Sequence, residues 1–127
     1  GDTEKYREDL LPGFIIPKKY KSRFVMCLGE ATKEIKKMNN KFDFYIHDSD
    51  HSYNYLSGEM SAAYRKLKKD SIILVDDIDW SNAFYNFVTT KKYHPLLFTD
   101  NGKDNLRVRT GLVYTKHKNN NKKGFTN

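Results

Sequence analysis

The stretch that most constrains this chain is 42–53, Phe-Asp-Phe-Tyr-Ile-His-Asp-Ser-Asp-His-Ser-Tyr. It opens as an apolar run of strong β preference, with Phe42, Phe44, Tyr45 and Ile46. It then packs two carboxylates and two imidazoles into the five positions His47 to His51. The pattern recurs further along, where the short apolar run Ser71 to Val75 empties into Asp76, Asp77 and Asp79. Ligands of open parallel sheets bind outside the carboxyl ends of the strands, so two strand ends of this kind imply an α/β protein with a site.

The residues between the two runs support that reading. Tyr53, Leu56, Met60, Ala63, Tyr64 and Leu67 form one stripe at helical period, with Ser52 placed to cap the helix. Lys66, Lys68 and Lys69 suit its carboxyl end. Strand, helix, strand at this spacing predicts a right-handed crossover and parallel neighbours.

The rest of the chain falls into place around this unit. Thr3 to Leu11 fits a short helix stopped by Pro12-Gly13, Phe14 to Ile16 is an apolar cluster between prolines, and Pro17 to Ser22 is a basic linker. Arg23 to Leu28 reads as a buried strand ended by Gly29, with Cys27 as inert packing within it. Ala31 to Met38 fits a helix, and Ala83 to Lys91 fits another with Ser81 as a candidate cap. Leu96 to Thr99 is a strand, Asn101-Gly102 marks a hairpin tip, and Leu106 to Thr115 alternates as an antiparallel final strand. The expected organisation is an amino segment 1–22, an α/β domain 23–116 and a disordered Lys-Asn-rich tail 117–127.

Composition narrows the partners. At 127 residues there is room for one core. One cysteine precludes an internal disulfide framework and fits a reducing, cytoplasmic setting. No apolar run reaches the length of a membrane span. The formal charge is +7, but it is scattered and Lys-dominated, so it reads as a solvated surface and nucleic acid is not the expected partner.

The motif residues resemble a family. Phe42 to Tyr53, with its Asp-x-Asp-His-Ser-Tyr ending, is similar to the fourth-strand segment of class I S-adenosylmethionine-dependent methyltransferases, in the branch that includes the macrocin and mycinamicin sugar O-methyltransferases. Phe24 to Ala31 resembles the third strand and its Gly-Asp-Ser/Ala end. Ile73 to Ile78 resembles the fifth strand with its Asp-Asp ending, and Pro95 to Thr115 the closing strand pair. Two features depart from the family: Asp70-Ser71 replaces the usual Gly-Gly, and residues 1–22 contain no counterpart of the glycine-rich first loop.

The resemblance implies a partial Rossmann-like α/β fold, the carboxy-terminal part of the family's own. Its sheet would be mostly parallel, flanked by helices and closed by an antiparallel hairpin. It implies S-adenosylmethionine as cofactor, with Glu30 and Ala31 bordering the adenine and His47 close by. It implies a small-molecule hydroxyl as methyl acceptor, with His51 as general base and Asp48, Asp76 and Asp77 holding magnesium. The chemistry is coherent. Neighbouring parallel strands lie about 4.8 Å apart, so these carboxylates would converge and repel unless a hard cation shared them. A metal-bound hydroxyl loses its proton more easily, and an imidazole suits proton transfer near neutral pH.

Other readings of the same residues stay open. Asp48, Asp50, Asp76 and Asp77 could be turn and cap residues, and both histidines could be structural. Asp48-Ser49-Asp50 also fits the Asp-x-Asp of metal-dependent glycosyltransferases, and a non-catalytic methyltransferase-like binding module is a further alternative. Trp80 is either an acceptor-pocket wall or a plain core or surface aromatic. The strand at Arg23 to Leu28, without its usual neighbours, would leave an exposed edge that a second copy of the chain could cover.

Overall fold

In a computed structural model the described residues are 13–102 and 105–116, the side chains of 100–108 excepted. The expected helix at Thr3 to Leu11 and the expected tail at 117–127 lie outside them. The chain divides into two compact units, Gly1–Glu30 and Ala31–Asn127.

The first unit departs from expectation. Lys18–Arg23 is a 3-10 helix rather than a linker. Residues 24–28 are neither strand nor buried: Val25 and Leu28 are about four-fifths exposed, and Cys27 is exposed. The physical reason is that β preference only permits extension. A strand exists when a neighbour takes up its N–H and C=O groups, and none is paired with this run among the described residues.

The second unit carries the α/β fold. Its elements are α1 (Ala31–Lys37), β1 (Phe42–His47), α2 (Tyr53–Lys66), β2 (Leu67–Val75), α3 (Ala83–Lys91), β3 (Leu96–Gly102) and β4 (Asn105–Thr115). The sheet order is β1-β2-β4-β3. β1 and β2 are parallel, joined by α2 as the spacing predicts. β4 is antiparallel to both β2 and β3. The parallel share of the sheet is therefore one pairing, smaller than expected, because residues 24–28 add no strand. The β3–β4 ladder extends to Gly102 opposite Asn105, so Asn101 and Gly102 sit in the ladder and not at a hairpin tip.

Alternation decides which face is covered. Tyr45, His47, Ser71, Ile73, Val75, Val113 and Thr115 are buried on one face. There they meet Leu56, Met60 and Ala63 of α2 and Ala83, Phe84 and Val88 of α3. Gly111 belongs to this face because a Cβ there would stand 2.3 Å from the Phe84 ring. On the other face Phe44, Ile46 and Tyr114 are exposed. Among the described residues no helix is long and apolar enough to cross a membrane.

Candidate active site

The carboxyl ends of β1 and β2 lie side by side. His47 is in register with Val75, and the Asp76 N–H donates to the His47 carbonyl at 3.0 Å. The loops after the two strands thus leave from one edge of the sheet, which is where ligands bind in such folds.

The first loop is held by its own turn. The Ser52 N–H donates to Asp50 Oδ1 at 2.8 Å, which also holds the Asp50 carboxyl below the usual carboxylate range. Ser52 takes the N-cap position of α2 but makes no side-chain cap bond, so its expected capping role falls to its backbone, whose carbonyl accepts from the Leu56 N–H. Asn82, not Ser81, is the N-cap residue of α3, again without a side-chain bond.

The second loop turns through Asp77, whose φ is +44°. Left-handed backbone costs a non-glycine residue about 1–2 kcal/mol, and aspartate is among the residues that tolerate it. Such strain clusters at functional sites. Here it is clamped from both sides. The Trp80 N–H donates to the Asp77 carbonyl at 3.1 Å, and the N–H of the fully buried Ile78 donates to the Arg109 carbonyl at 3.0 Å.

His51 stands between the two loops. Its Nε2 is 4.0 Å from an Asp48 oxygen and 3.9 Å from an Asp77 oxygen, ion-pair rather than hydrogen-bond separations. Its Nδ1 is buried and has no hydrogen-bond partner among the described residues. The exposed Trp80 ring lies alongside at 6.3 Å between centroids, and His47 meets His51 edge-on at 5.3 Å.

The predicted residues are therefore brought together in part. Asp48, His51 and Asp77 converge. Asp76 is directed elsewhere, accepting from Thr110 Oγ1 at 2.7 Å. Asp77 also accepts from Arg109 Nη1 at 3.2 Å, so a guanidinium already stands where a cation would be. Among the described residues no group of three or more His, Cys, Asp or Glu is arranged to hold a metal ion. Glu30 is exposed at the end of the first unit, and Ala31 is half-buried at the head of α1.

His47 is buried, and burial is the main cause of a pKa lowered from the ordinary histidine value, opposed by the nearby Glu59 carboxylate. Glu59 is a residue the sequence reading missed, although it lies within the apolar stripe of α2, between Leu56 and Met60. It is 5 % exposed and accepts from Tyr45 Oη at 2.7 Å and from Ser49 Oγ at 3.4 Å. Burial and this carboxylate push the Tyr45 phenol far up, so it stays a donor. Arg109 and Thr110 were also missed. They come from β4, far along the chain, and no local pattern announces them.

No curated protein matches the chain. A family model described as a methyltransferase domain matches residues 2–78, which takes in β1, the His47–His51 loop, α2, β2 and the Asp76-Asp77 ending. The match does not favour the glycosyltransferase reading of Asp48-Ser49-Asp50, whose second aspartate is the turn residue described above. On more than half of its length, then, the chain belongs to the methyltransferase-domain family.

Proposed function

We propose that this domain serves S-adenosylmethionine-dependent O-methyl transfer to a small-molecule hydroxyl, in the manner of the macrocin and mycinamicin branch, with His51 as the general base. One observation carries the reading. The His51 ring has two carboxylates from two strand ends at Nε2 and a buried Nδ1 without a partner among the described residues.

In this arrangement His51 takes the proton of an acceptor hydroxyl while standing between Asp48 and Asp77. The imidazolium that forms is then stabilised by the same two carboxylates. Arg109 fixes the orientation of Asp77, and Trp80 offers the acceptor an apolar wall. The cofactor supplies an electrophilic methyl carbon on a sulfonium. His47 Nδ1 is likewise buried without a partner among the described residues. Within the second unit, Ala31 and His47 would hold the cofactor. The carboxylates as placed do not suit magnesium, with Asp76 engaged by Thr110 and Asp77 by Arg109.

Calorimetric titration with S-adenosylhomocysteine tests the reading. Binding is expected, and a sugar nucleotide should give none. Absence of S-adenosylhomocysteine binding, or binding of the sugar nucleotide in its place, would overturn it. With a panel of hydroxylated acceptors, His51→Gln should lower methyl transfer by about 10²–10⁴-fold while cofactor affinity is kept.

A further inference from the structure

We propose that Glu59 is a positioning residue of this site: through Ser49 its buried carboxylate fixes the tautomer of His47, with the proton on Nε2 and a bare lone pair on Nδ1. Glu59 stands out physically. It occupies the core stripe of α2 at 5 % exposure, where a carboxylate is costly unless its oxygens are bonded.

Its two oxygens do different work. Oε1 accepts from Tyr45 Oη at 2.7 Å, which ties α2 to β1. Oε2 faces the loop, 3.4 Å from Ser49 Oγ and 3.7 Å from His47 Nε2, and Ser49 Oγ is itself 3.2 Å from His47 Nε2.

Proton accounting settles the direction of these bonds. A carboxylate only accepts, and the serine hydroxyl has one hydrogen. With that hydrogen on Glu59, Ser49 must accept from His47, so the proton sits on Nε2. The relay runs His47 Nε2–H to Ser49 Oγ, then Ser49 Oγ–H to Glu59 Oε2. The reverse polarity would strand an N–H at His47 Nδ1, an atom that is buried and has no partner among the described residues. In the forward polarity Nδ1 is a lone pair, so a ligand group that reached this buried atom would have to be a donor: an ammonium, an amide N–H or a hydroxyl.

Only the ligand half of this inference rests on the cofactor reading. The tautomer is a property of the protein alone. Long-range ¹H–¹⁵N correlation of the histidine rings reads it without ligand, and Nε2–H is expected for His47. Nδ1–H in the wild-type protein would overturn the proposal, whatever the variants do.

Glu59→Gln should invert the relay. Its amide oxygen stays with the Tyr45 hydroxyl, its NH₂ donates to Ser49, Ser49 donates to Nε2, and the His47 proton moves to Nδ1. Retention of Nε2–H in a folded Glu59→Gln variant would refute the control by Glu59. Should that core variant fail to fold, Ser49→Ala at the exposed loop tests the same relay. Loss of the bridge should let Nδ1–H appear beside Nε2–H, and unchanged Nε2–H alone would count against the proposal. S-adenosylhomocysteine affinity should fall at least tenfold in Glu59→Gln. An unchanged affinity with a swapped tautomer would overturn the ligand half only.

Discussion

Gly111→Ala tests how closely α3 approaches the sheet, and through it the support of the site. Gly111 lies on β4 opposite Val75 and Leu97, on the covered face. A Cβ there would meet the Phe84 ring at 2.3, 2.4 and 3.0 Å, where ordinary contact begins at 3.4 Å. The ring would have to retreat by about 1 Å, but it is fully buried and packs edge-on to Tyr85 at 5.9 Å between centroids. Overpacking of this kind costs about 1–3 kcal/mol. For a unit of this size each kcal/mol moves Tm by about 4–8 °C, so a loss of roughly 10 °C is expected. The Arg109 carbonyl that holds the Ile78 N–H is two residues away, so the displacement should also loosen the Asp77 turn. Urea unfolding, followed by circular dichroism, measures the loss. Phe84→Leu in the same chain should restore part of it, with a coupling of about 1 kcal/mol or more. A Gly111→Ala protein with wild-type Tm, or a double variant no better than the sum of the singles, would refute the packing argument.

Asp70 adopts φ +60°, a left-handed conformation that favours glycine, so Asp70→Gly should stabilise by about 1 kcal/mol and Asp70→Ala should not, as read by thermal melts. His47 has a lowered pKa in the folded state, so its neutral form stabilises the fold above the unfolded value of 6.5 and that contribution is lost as pH falls through the lower folded value. Denaturant midpoints should therefore drop on acidification below about pH 6.5, and a folded His47→Gln variant should show a flatter profile over that window. Arg109 occupies the cation position beside Asp77, so magnesium should leave the wild-type Tm unchanged yet raise that of Arg109→Met; a magnesium-dependent wild type would restore a metal role to Asp48 and Asp77.

Much of the second unit was legible because its signals are periodic and local. The stripe from Leu56 to Ala63 is helix α2, and the runs at 42–47 and 72–75 are parallel neighbours whose ends meet. The run at 24–28 has the same β character and forms no strand, which shows the limit of such signals. Glu59 escaped notice because a glutamate reads as solvated, whereas its burial depends on Tyr45 and Ser49 reaching it from other elements.

The candidate site divides along the same line. The sequence alone determined which chemistry could be present: two imidazoles and several carboxylates at two strand ends, in an order that fits a methyltransferase domain. Local pattern suffices for that, since strand, turn and helix are set by neighbours a few residues apart. Only the tertiary structure decided how the groups are shared. It joined Asp77 to His51 and Arg109, turned Asp76 to Thr110, and placed Glu59 behind His47. Those partnerships span up to 34 residues of chain, and they depend on sheet order, strand register and one left-handed turn, none of which a local pattern encodes.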